Sequence, residues 1–244
     1  WVFWELRCSA PLINLRVLKR MGVWQGGVVW LSIAIGLVIP AAAMPYLFQT
    51  PVASGFGFGK SLFEVSLALA VSAAVMAFVS ALATPVMRTL TAKWTMLLGV
   101  SFGLAGFGLA YAHGSMWLTL LWVAATGMPP ALAGSASYTV AAEAVLPEEG
   151  ILVSTIYNTA AGLGSSIASA VVGYVLTIRE VAVEVATPDG SESAFFPADQ
   201  TYTWSALIIG GIAVSGMLAV LTIRQKHLRA AARASDVATV RAHN

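Results

Sequence analysis

The chain reads as an all-α membrane protein with six transmembrane helices, and three observations predict it. The 244 residues are 58% hydrophobic and only 10% charged. Soluble domains carry roughly 25% charged residues, so lipid is the solvent this composition suits. The apolar residues gather into six stretches of about 20 or more, the length that crosses a hydrocarbon core. The Lys and Arg residues are also unevenly placed. Arg7, Arg16, Lys19 and Arg20 precede the first stretch, Arg88 and Lys93 lie between the second and third, and Arg224, Lys226, Arg229, Arg233 and Arg241 follow the sixth. Only Lys60 and Arg179 fall in the alternate loops. The positive-inside rule then puts both ends in the cytoplasm.

Residues 1–20 form a cytoplasmic linker with aromatic Trp1, Phe3 and Trp4 and a wet charged segment behind them. The absence of an initiator Met at Trp1 suggests the later part of a longer polypeptide. Span one, 21–48, contains Pro40 and Pro45. Each removes an intrahelical hydrogen bond and bends the helix, and the freed carbonyls favour a bundle interior. A glycine-rich loop leads into span two, 61–83, which Thr84-Pro85 closes. Span three, 94–112, carries Gly99 and Gly103, a GxxxG close-packing pair. Span four, 116–140, holds Pro129 and Pro130, which kink it, and span five, 151–178, holds a small-residue face of Gly162, Ser166, Ser169 and Gly173 at helical spacing, expected to pack closely against a neighbouring helix. A polar, acidic loop, 179–200, separates it from span six, 201–223. A basic tail, 224–244, closes the chain.

Polar side chains inside the spans are the candidates for function, because they are expensive in lipid. No span has an ionisable group near its centre. Glu64 lies one turn inside span two, where it either suits the helix dipole or serves as a proton or polar site. Asn158 lies two turns inside span five, either bonding across helices or touching substrate. Gln25, Trp30, Tyr138 and Tyr157 are candidates for a cavity wall, with interfacial anchoring as the alternative for the aromatics. Arg88 and Lys93 are either positive-inside anchors or a cytoplasmic clamp on helix ends, with Glu143 as a possible partner.

Enzyme readings find no support. His113, His227 and His243 are scattered and Cys8 is the single cysteine, so no metal-ligand spacing and no disulfide framework is present. Gly55-Phe56-Gly57-Phe58-Gly59 lacks the lysine and hydroxyl of a nucleotide-phosphate loop. No cofactor is implied. A net charge of +2 is too small to point to nucleic acid.

Several local patterns share an order with one transporter family. Trp4-Glu5-Leu6-Arg7 with Pro11 to Arg16 looks like its linker before the last six spans, and Gly55 to Ser61 looks like the loop entering the next span. Pro85, Arg88 and Lys93 sit in a stretch similar to its repeated cytoplasmic gating motif, without the motif's glycine and acidic residue. Asn158-Thr159 with Gly162 and Gly164 is similar to its penultimate span, where Ala161 replaces a common arginine. The chain thus resembles the C-terminal half of a major facilitator superfamily transporter, most like the fourteen-span drug:proton antiporters. The resemblance implies one six-helix half-bundle of that fold in the cell (plasma) membrane. A missing N-terminal half of the same polypeptide would face it, and a small-molecule substrate would bind between the halves. It further implies export of drug-like or amphiphilic compounds by proton antiport with alternating access, spans one, two, four and five lining the cavity. A nutrient importer on the same fold and a non-transporting membrane scaffold or remnant are the alternatives.

Overall fold

The computed structural model describes residues 17–20, 22–104, 114–146, 149–187 and 190–223. Most of the linker, the tail and the last part of the expected third span lie outside them. The described residues are mostly helical: α1 (Val23–Gln49), α2 (Leu62–Ser101), α3 (Met116–Ala125), α4 (Ser135–Ala142), α5 (Gly150–Ile178) and α6 (Asp199–Leu221). Five stretches are long and apolar enough to cross a membrane: Val23–Gln49, Leu62–Leu104, Met116–Ala142, Gly150–Ile178 and Asp199–Leu221.

Helix α1 is the central element. It packs along its length against α5 and α6 and buries more of itself than any other span. Gly22, at φ 97°, precedes it, and a side chain there would collide with Val140. The Gln25 side chain turns back to accept the Gly22 N–H at 2.6 Å, which satisfies one orphan donor of the first turn. Pro40 and Pro45 lie within the helix without ending it. After α1 the chain folds back on itself. The Gly59 N–H donates to the Thr50 carbonyl at 2.9 Å and the Lys60 N–H to the Phe48 carbonyl at 2.7 Å. Gly57 lies so close to the Thr50 carbonyl that a Cβ would overlap it. The flanking Phe58 then meets Phe48 edge-on at 5.3 Å, so this glycine-phenylalanine loop serves packing.

Helix α2 joins what the sequence divides into spans two and three. Pro85 does not close the second span; the helix continues through it to Thr91, whose φ of 67° and ψ of 155° break the helical path. Side-chain partners show the chain doubling back there. Ser72 meets Thr126 and Met87 meets Thr139 on the way out. On the way back Gly99 lies against Ala133, and Phe102 and Gly103 share a cavity with Trp122 and Thr126. A β-branched residue at positive φ is strained. Close by, the Lys93 ammonium donates to the Leu221 carbonyl at 3.2 Å at the end of α6.

The expected fourth span is irregular at its two prolines. Pro129 and Pro130 lack an N–H, which leaves the Ala125 and Thr126 carbonyls without their helical donors. α3 ends at Ala125, a π-helical turn spans Pro130–Gly134, and α4 resumes at Ser135. Gly127 fits against the Ser72 carbonyl, an approach no larger residue permits.

The acidic stretch after α5, expected to be a loop, contains an antiparallel hairpin of β1 (Glu180–Thr187) and β2 (Gly190–Pro197). Val181 pairs with Phe196 and Val183 with Ala194. Alternating valines favour a pleated pair over irregular chain.

The core falls into three groups around α1. Met44, Leu47, Phe48, Trp122, Val172 and Tyr202 fill one end. Val29, Met96, Val100, Ala133 and Val220 fill the middle, and Val17, Val23, Val153 and Tyr157 the end where α1 begins. The α1–α5 contact depends on two glycines: Gly26 lies under the Tyr157 ring, and Gly164 lies against the backbone of Leu31. Substituting Gly164→Val should therefore cost about 1–3 kcal/mol by overpacking. Gly162→Ala, with nothing within 4 Å, should change stability by no more than about 0.5 kcal/mol. Thermal unfolding of both variants in the same detergent checks the contrast.

Candidate functional site

Four of the residues singled out in the sequence meet at the end of the bundle where α1 begins. Trp30 of α1 and Tyr138 of α4 stack edge-on at 5.8 Å, and Tyr138 lies 5.1 Å from Tyr157 of α5. The Trp30 indole N–H donates to the Ser137 hydroxyl at 3.0 Å. The Tyr157 hydroxyl lies 3.2 Å from the Gly22 carbonyl and 3.3 Å from that of Ser137, tying three helices with one proton. Gln25 donates its amide to the Thr222 hydroxyl at 3.3 Å. Gln25 and Tyr157 are buried, so their polar atoms are committed to structure. Tyr138, at 37% exposure, and half-buried Trp30 form the open rim of the cluster.

Asn158 follows Tyr157 but points elsewhere. It lies on an exposed face of α5 with Thr155, Thr159, Gly162, Ser166, Ser169, Gly173 and Thr177. The spacing of three and four residues keeps these on one side of the helix. Their hydroxyls donate to carbonyls one turn back, as Ser166 does to Gly162 at 2.9 Å and Ser169 to Ser165 at 2.9 Å. Gly162 and Gly173 face open space, so among the described residues neither glycine packs against another helix, contrary to the close packing expected of this face. A second exposed side of α5 is different: it carries Leu163, Ile167, Tyr174 and Ile178. The first half of α2 repeats the pattern. Ser66, Ala70, Ala73, Ala77, Ser80 and Thr84 form an exposed small-residue stripe, a feature that sequence reasoning missed although its heptad spacing is visible. The outer side of α6 instead exposes Trp204, Leu207, Val214 and Leu218.

The charged residues are arranged around helix ends. Glu64 belongs to a capping box at the start of α2. It accepts the Ser61 N–H at 2.9 Å and the Lys60 ammonium at 3.1 Å, while the Ser61 hydroxyl accepts the Glu64 N–H. This places it at a helix terminus where its charge suits the dipole. Arg88 is exposed and has no partner among the described residues, whereas Lys93 binds the C-terminal carbonyls of α6. Glu143 is not paired with either. The ion pair at this end is instead Arg20 with Glu149, a bidentate contact that links the entry to α1 with the entry to α5. Glu149 also accepts the Leu146 N–H at 3.0 Å. Sequence could not select Glu149 from its acidic loop, because the pairing spans the chain.

The cavity inside the bundle is small, about 40 Å³, and is walled by Ser32, Gly36, Trp122, Thr126 and Pro129. That volume holds water and not an amphiphile. Among the described residues no cluster of three His, Cys, Asp or Glu could hold a metal ion. No family model matches the chain, and no curated protein matches it well enough to count as a relative.

Burial holds the Glu143 carboxyl above its ordinary value of 4.5. Between the unfolded and the raised folded value the native state binds more protons than the unfolded chain, so stability falls as pH rises through that window. Glu143→Gln should abolish that decline and unfold at a higher temperature than the parent at neutral pH. Melting curves from pH 4 upward, at constant salt, check the sign.

Proposed function

We propose that this chain is one six-span half of a secondary active transporter of the major facilitator type. The observation that carries the reading is the exposed small and hydroxyl-bearing stripe of α5, Thr155 to Thr177. Lipid tails offer nothing to hydroxyls, an amide and bare glycine backbone, whereas a facing helix bundle or a water-filled path does. The matching stripe on α2 supports the same partner surface, and the large apolar side chains on the outer face of α6 suit lipid. The reversal of the chain at Thr91 supports six passes, counting the two legs of α2 separately.

In this reading a second bundle of the same polypeptide faces α2 and α5, and the two halves rock about a path between them. Tyr138, Trp30 and Asn158 contribute aromatic and amide contacts to the wall, a lining suited to amphiphilic compounds. Protons drive the exchange, and the coupling carboxylate lies in the facing half, since Glu64 is engaged in a helix cap. Both ends are cytoplasmic and the protein resides in the cell membrane. Import of a nutrient by the same architecture is separated by direction.

The test uses the full-length polypeptide in inside-out membrane vesicles with a fluorescent amphiphilic cation. An exporter accumulates the dye when the membrane is energised and loses it on addition of an uncoupler. Gly162→Leu, compared at equal amounts of folded protein in the membrane, should reduce initial transport rate about tenfold or more, because the bulk enters the facing surface. Undiminished transport by Gly162→Leu would remove the interface assignment, and no energised accumulation of any amphiphile would leave the scaffold reading.

A further inference from the structure

A second, larger concavity lies at the far end of α5. It is an open groove of about 400 Å³ between the end of α5 and the start of α6, at the base of the hairpin. Val175, Ile178 and Ile208 make its apolar floor, and Arg179, Gln200 and Trp204 stand at its rim. Polar and apolar residues thus meet in one groove, Ile178 directly beside Arg179.

The rim is rich in donors. Arg179 gives one N–H to the Gln200 side-chain oxygen at 2.7 Å. A guanidinium has five N–H donors, so four remain, and the Gln200 amide adds two more. This contact also points the amide nitrogen and the guanidinium in a fixed relation, since the amide oxygen is already engaged. Arg179 has no ion pair among the described residues. Trp204 is 60% exposed and carries a further N–H. Donors without acceptors call for an anion, and a guanidinium fork matches a phosphate oxygen pair.

We propose that this groove binds one bilayer phospholipid, its phosphodiester on Arg179 and Gln200 and the upper part of an acyl chain along Val175, Ile178 and Ile208. The carboxylates of Glu180 and Asp199 flank the rim in sequence and oppose a free anion. The acyl chain supplies what the phosphate contact alone lacks, so a lipid is taken and soluble phosphate is not. Arg179 is the extended residue that directly follows α5, so its cation also lies at the C-terminal end of that helix.

The proposal rests on the helices lying in a bilayer, which carbonate extraction tests separately: release of the protein from membranes would remove both. The direct test uses the full-length polypeptide purified in mild detergent and weighed intact by native mass spectrometry. The parent should retain one phospholipid that Arg179→Gln retains about tenfold less, the effect expected for a lost charge-assisted bond. Arg179→Lys, which keeps the charge without the fork, should fall between. In the unmodified protein a photoreactive phospholipid should crosslink to peptides containing Val175 to Ile178 or Trp204 to Ile208. Equal retention by parent and Arg179→Gln, crosslinks confined to other peptides, or displacement of the lipid by millimolar inorganic phosphate would each overturn it.

Discussion

The close approach of α1 to α5 sets the rest of the architecture. A helix can occupy the middle of a bundle only if its neighbours come near enough to bury it, and here two absent side chains allow that. Gly26 receives the Tyr157 ring, and Gly164 receives the backbone of Leu31. With α1 held there, its remaining sides are taken by α6 and by the returning leg of α2, where Gly99 and Gly103 repeat the device against Ala133 and Ala213. Lipid gives no hydrophobic drive for helices to associate, so close van der Waals packing of this kind is what membrane bundles depend on. The Tyr157 hydroxyl then adds polar bonds across the same junction, to the carbonyls of Gly22 and Ser137.

Breaks in the helices follow a related logic. Pro40 and Pro45 remain inside α1, which continues through both. Pro129 and Pro130 do more, since two adjacent missing donors cannot be absorbed by a bend, and the chain passes through a π-helical turn before α4. The break lies beside the water-sized internal cavity, whose walls include Thr126 and Pro129. Ser72 and Thr126 share a hydrogen bond at 2.9 Å across this point, which joins the outward leg of α2 to the interrupted span.

Surface chemistry distinguishes the outer faces from one another. The outer side of α6 and one side of α5 expose mainly large apolar side chains, with Gly211 and Ser215 among them on α6. The other side of α5 and one side of α2 are small, hydroxylated and bare. A single solvent cannot suit both kinds, and the contrast gives the proposed transporter reading its physical content. The groove at the hairpin base is a third kind of surface, with donors and apolar floor in one concavity.

Much of this was legible in the residues. Composition and apolar run length determined the helical, membrane-type character, because the transfer of each side chain to lipid is a local property. The small-residue face of α5 was readable from spacing, and the cap position of Glu64 was within reach because Ser61 and Glu64 are three apart. Tertiary structure alone decided which partners those faces have. Whether the helix ends at Pro85 or runs on to Thr91 is not set by the proline alone. The pairing of Arg20 with Glu149, in place of Glu143 with Arg88 or Lys93, depends on where α1 and α5 begin in space. The hairpin in the acidic stretch depends on two strands finding one register. Local chemistry is written residue by residue, whereas long-range pairing is a property of the folded chain, and no spacing in the sequence encodes it.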